Sequence, residues 1–292
     1  MNTALQKYIQ ESELRIVNDK FRMRMAPDLA QKYDDGVYDA GVAEHAGCIN
    51  ELMEIGWQDV IGQNPMFYTY LVPDDRLIEL LDYPYQRSRG GRPVQCFDKD
   101  GFRFAYGATQ NTFIMDKKPE IIAHVNNIHE YAHVVQGQLN SYKHVMFQEG
   151  FAEVVVWYLL GYESKYLEHA MAVADTDIYS ANELLTTVSF KDKVPGKRCH
   201  FQKSYISSYV LVRTMVEQIE SKYGVDKIGA IRMWLETYSE NDKDKQGLMT
   251  DFAKMLGIDA GKFIYTTDYQ KDVLQKIKTT GKMTLPPREI IR

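Results

Sequence analysis

Apolar residues recur along the chain with two different periods, and the switch between them organises it. Over residues 3–25, Leu5, Tyr8, Ile9, Ile16, Val17 and Phe21 stand at mixed helical spacing among many charges, which predicts a surface helix. An irregular stretch at Asp34, Asp35 and Gly36 follows. A second helix is expected from about Ala40 to Ile61, with Val42, Ile49, Met53 and Val60 facing inward. After Asn64-Pro65 the character changes. Met66 to Val72 is rich in β-formers, and Val94 to Phe97 and Phe102 to Tyr106 flank an Asp98-Lys99-Asp100-Gly101 turn signal. The segment Arg87 to Pro93 reads as a loop, and Thr109 to Met115 as a further strand. From Pro119, which suits a first helical turn, nearly everything reads as helix. The first of these helices runs to Gln136 with Gly137 as a stop signal, and others are expected near 146–161, 203–222, 225–239, 247–256 and 268–278. Helices, then a small sheet, then a helical half, without an internal repeat, imply an α+β protein with a cleft where sheet meets helices.

Composition narrows the functional classes. With 45% hydrophobic and 26% charged residues in 292, disorder and low complexity are excluded and a real core is affordable in length. Lys plus Arg is 35 against 40 for Asp plus Glu, a formal charge of −5. The basic surplus of a protein that grips nucleic acid through phosphates is missing, so no nucleic-acid partner is expected. The longest apolar run, Val154 to Leu160, falls far short of the roughly 20 residues of a membrane span. The opening MNTALQKYIQESELRIVNDK has no apolar core of a signal peptide, so a cytoplasmic location is expected unless an export signal has been removed. Cys48, Cys96 and Cys199 are an odd, sparse set and read as buried thiols rather than a disulfide framework.

The chemistry lies in the helix that starts at Pro119. His129-Glu130-Tyr131-Ala132-His133 places two histidines four residues apart, about one helical turn, so both imidazoles project from one face and can grip one Zn²⁺. Glu130, beside the first ligand, points to where an activated water would lie and can take its proton. Between Ala123 and Lys143 no residue other than Glu130 and the histidines carries a charge, and no proline interrupts the helix. Two histidines do not close a zinc site, so a third protein ligand is required. A histidine six residues beyond the second, as in metzincins, is excluded because that position is Leu139. His144 stands in a connecting loop. The segment Phe147-Gln148-Glu149-Gly150-Phe151-Ala152-Glu153 enters an apolar helix with two carboxylates again at i, i+4. One of the pair can bind the metal while the other holds the far nitrogen of a ligand histidine. Two acids on so hydrophobic a helix are costly to bury without such partners.

His129-Glu130-Tyr131-Ala132-His133 followed by Glu149-Gly150-Phe151-Ala152-Glu153 resembles the gluzincin metallopeptidases, which include thermolysin-like enzymes, zinc aminopeptidases and bacterial collagenases. The resemblance implies a zincin-type catalytic domain: a small mixed sheet with a substrate-binding edge strand, then a mostly helical half. It implies His129, His133 and Glu149 as zinc ligands, Glu153 as the acid supporting them, and Glu130 as general base. Glu149 lies sixteen positions beyond His133, a shorter gap than in thermolysin; Glu153, at twenty, matches that spacing and is the alternative ligand. Upstream, Gly107-Ala108-Thr109-Gln110-Asn111 stands where aminopeptidases carry G-A-M-E-N on the edge strand, so Gly107, Ala108 and Gln110 are the expected substrate contacts. Gln110 replaces the glutamate that would hold a free amine, which favours internal cleavage. Downstream, Tyr205-Ile206-Ser207-Ser208-Tyr209 resembles the segment with the catalytic tyrosine, which assigns oxyanion support to Tyr205, with Tyr209 and His200 as alternatives.

The expected organisation is an N-terminal helical region over 1–65 packed on a metallopeptidase domain over 66–285, with its sheet part at 66–118 and its helical part at 119–285. The expected activity is zinc-dependent hydrolysis of peptide bonds in a peptide or protein substrate. The alternative is a catalytically degenerate module that keeps the fold and binds a protein partner, although such a site has no need of Glu130. Arg87, Arg89 and Arg92 around Gly90-Gly91 lack the ending of a P-loop and read as a solvated loop, and His45, His124 and His169 read as ordinary helix residues.

Overall fold

The computed structural model describes residues 7–8, 10–62, 64–71, 94–97, 103–106, 121–138, 145–163, 178–186, 198–239 and 244–280. The chain divides into two compact units, residues 1–139 and 140–292.

The first unit is built on a five-stranded mixed sheet in the order β1-β2-β3-β5-β4. Strand β1 (Glu13–Ile16) runs antiparallel to β2 (Phe21–Met25), β2 parallel to β3 (Phe67–Leu71), β3 parallel to β5 (Arg103–Tyr106), and β5 antiparallel to β4 (Val94–Phe97). The β4–β5 pair is the hairpin expected from the sequence; the turn between them lies outside the described residues, as does the expected strand at 109–115. Residues 13–25 correct the expectation of a surface helix over 3–25. Phe21, Met23 and Met25 are fully buried and alternate with half-buried Arg22 and Arg24, the period of a strand with one covered face. Asn18 reverses the chain: its Oδ1 accepts from the backbone N–H groups of Lys20 and Phe21 at 2.9 and 2.8 Å, a local turn that competes with helix.

Helix α1 (Pro27–Asp34) opens on a proline and is tied to β1, where Arg15 donates two hydrogen bonds to Asp34, at 2.9 and 2.8 Å. The second expected helix is broken. It forms as α2 (Asp39–Met53) and α3 (Gln58–Ile61), because Gly56 adopts φ 70° and Trp57 turns inward, its Nε1 donating to the Leu52 carbonyl at 2.9 Å. Helix α4 (Ile121–Gln138) packs on α2 and on β5 and β4. Val125, Ile128, Tyr131 and Val135 on α4 share the buried core with Phe21, Phe67, Ile49 and Leu52.

The described part of the second unit is helical: α5 (Val145–Leu160), α6 (Ala181–Thr186), α7 (Arg198–Tyr223), α8 (Lys227–Ser239), α9 (Lys245–Leu256), α10 (Ala260–Tyr265) and α11 (Asp268–Thr280). Its long helix α7 packs on α5, α8, α9 and α11. Trp234 on α8 is stacked by Phe151, Tyr238 and Phe252 at centroid distances of 5.0, 5.0 and 5.5 Å, a buried aromatic cluster. Asp244 and Asp259 cap α9 and α10 through their side chains. The fold is therefore α+β. Among the described residues no helix is long and apolar enough to cross a membrane.

Candidate metal centre

Helix α4 carries His129 and His133 one turn apart, both buried, with their rings edge to face at 4.8 Å between centroids and 88° between planes. Burial removes competing water and favours a site in which imidazoles act as ligands rather than as solvated bases. His133 Nδ1 lies 2.8 Å from Gln136 Oε1. That oxygen only accepts, so Nδ1 carries the proton and Nε2 keeps its lone pair for a metal. Gln136 is fully buried and was not singled out in the sequence. The signal was available: an uncharged acceptor three residues after a ligand histidine, on the same helical face. Glu130 is half-buried beside the pair.

Helix α5 carries the acids. Glu149 is half-buried, and Glu153, one turn later, is 1% exposed. The glycine between them has a steric cause. A Cβ at Gly150 would lie 2.6 Å from Ser208 Oγ and closer still to the Ser208 carbonyl oxygen, so any side chain would push α7 away. The Glu149-Gly150 pair thus combines a carboxylate with a close approach of α7.

One ligand atom each of His129, His133 and Glu149 lies within 4.8 Å of the others. Two buried imidazoles and one half-buried carboxylate are a donor set that a divalent metal ion can use. These three residues can hold a metal ion.

The tyrosines separate. Tyr209 is fully buried; its hydroxyl donates to Glu163 at 2.5 Å and accepts from Arg213 Nη1 at 2.9 Å. Burial holds its phenol well above the ordinary value, so it stays protonated and committed to Glu163. Its hydroxyl is thus engaged within the second unit. Tyr205 is 8% exposed and stands three residues before Ser208, on the side of α7 that meets Gly150. His200 lies in the first turn of α7. Gly107, Ala108, Gln110, His144 and the Arg87–Pro93 loop lie outside the described residues. Comparisons with protein-family models, curated proteins and solved structures found no match.

Proposed function

We propose that the chain is a zinc-dependent peptidase of gluzincin type with a zincin-type catalytic fold, cleaving peptide bonds internally rather than from a free amino end. The observation that carries the reading is the convergence of His129, His133 and Glu149 ligand atoms within 4.8 Å, with Glu130 beside them on α4. His129, His133 and Glu149 would hold the ion, with His133 oriented by Gln136 and with Glu153, buried one turn from Glu149, as the supporting acid. Zinc in such a site lowers the pKa of water toward neutrality and polarises a carbonyl. Glu130 takes the proton of the attacking water and passes it to the leaving amine. Tyr205 donates a hydrogen bond to the oxyanion of the tetrahedral intermediate. Uncharged Gln110 offers no charge to a free amine, which is the ground for internal cleavage.

The test is metal analysis of the purified protein, followed by digestion of a peptide library with wild type and Glu130→Gln. About one zinc per chain is expected in both. Internal cleavage by wild type should fall by roughly 10²–10⁴-fold in the variant, as for a lost general base. Zinc-loaded wild type that cleaves nothing would leave the partner-binding module as the better reading. Absence of stoichiometric metal would remove both the zinc and the peptidase.

A further inference from the structure

The tyrosine inside the histidine motif has no part in the chemistry above, yet its hydroxyl is held by two side chains from two other elements. Tyr131 stands two residues from each histidine, about 200° around the helix from either, and so faces the core. Its hydroxyl is 2.5 Å from His45 Nδ1 on α2 and 2.9 Å from Thr69 Oγ1 on β3. Its ring meets His45 and Phe67 edge to face, at 5.7 and 5.5 Å. Tyr131, His45 and Thr69 are all buried.

Apolar packing alone tolerates small rolls of a helix about its axis, because dispersion is non-directional. A phenol held by two partners on two other elements does not, since hydrogen bonds weaken steeply when bent. The consequence is on the opposite face. A roll of about 15° moves a side-chain atom about 6 Å from the axis by about 1.5 Å. Metal–ligand bonds tolerate about 0.2 Å.

We propose that Tyr131 is a positioning residue of the metal centre: clamped by His45 and Thr69, it fixes the rotation of α4 and thereby the direction of His129 and His133. The inference rests on the zinc reading above. His45 and Thr69 are its partners in that role, reached from positions 86 and 62 residues away in sequence.

The test compares wild type with Tyr131→Phe, which keeps the ring, and with Thr69→Val, which keeps the shape. Zinc affinity is measured by chelator competition, and site geometry by the visible spectrum of the cobalt-substituted protein. Tyr131→Phe should bind zinc about tenfold more weakly and alter the cobalt spectrum, with Thr69→Val intermediate. His45→Asn, which retains an acceptor near the Nδ1 position, should restore most of the affinity lost in His45→Leu. If Tyr131→Phe and Thr69→Val melt earlier but keep wild-type zinc affinity and cobalt spectrum, Tyr131 is structural only and the proposal falls. Wild-type protein that takes up no metal is a separate result, which overturns the zinc reading itself.

Discussion

In each unit a tyrosine hydroxyl is buried in a polar network, and the two networks are built differently. In the first unit the Tyr131 hydroxyl is paired with two uncharged groups, His45 and Thr69. Burial holds His45 down to about 4, so the ring is uncharged near neutral pH, and Thr69 completes the set. In the second unit Tyr209 sits among charges. Glu163 accepts from Tyr209 and from Arg213 Nη1 at 2.6 Å, Arg213 Nε donates to Glu217 at 2.9 Å, and the guanidinium lies 3.9 Å from the centre of the Trp157 ring. Neutral hydrogen bonds orient an element at modest net energy, whereas a buried ion pair is costly to break because each charge left behind has lost its water. The first joins α4 to α2 and β3 through neutral groups; the second joins α7 to Glu163, just beyond α5, through charges.

The largest expected break of this contrast is Glu163→Ala. It strands the Arg213 guanidinium in the core with Glu217 as its remaining acid, and should cost about 3–5 kcal/mol in chemical denaturation. The neutral network has no counterpart of that size. Acidification acts the other way. The folded value of His45 near 4 lies below its ordinary 6.5, so between those pH values the unfolded chain binds a proton that the folded chain refuses. The contribution is whole above pH 6.5 and is lost as pH falls toward 4, about 3 kcal/mol in all. Denaturation midpoints of wild type and His45→Asn between pH 7 and 4.5 check this; the variant should show the shallower decline. The finest comparison is between the hydroxyls themselves. Tyr209→Phe loses a hydrogen bond to a charged acceptor and should cost about 2 kcal/mol, against about 1 kcal/mol for Tyr131→Phe. Equal costs would mean that the two networks do not differ in kind.

What could be read from the chain was local. The histidines of α4 and the acids of α5 each lie one turn apart, and a turn is written in four consecutive residues. The β4–β5 hairpin was equally local. The strands at 13–25 were misread because Phe21, Met23 and Met25 alternate over only five residues among charges, and because β2 gains its second neighbour, β3, from more than forty residues downstream. Gln136 was overlooked although its spacing from His133 was visible. Gly150 was noticed for its company rather than its cause, since nothing in the local sequence announces Ser208.

Spacing, charge and hydrophobic period were enough to specify an α+β chain and to nominate His129, Glu130, His133 and the acid pair Glu149 and Glu153, because one helical turn and one apolar face are short-range properties of a polypeptide; the preference for Glu149 within that pair came from the family resemblance. Packing alone determined that Tyr209 is spent on Glu163, that Tyr131 reaches His45 and Thr69, and that α7 presses on Gly150. Those contacts join residues dozens of positions apart, and their existence depends on which surfaces the folded chain brings within a hydrogen bond's length.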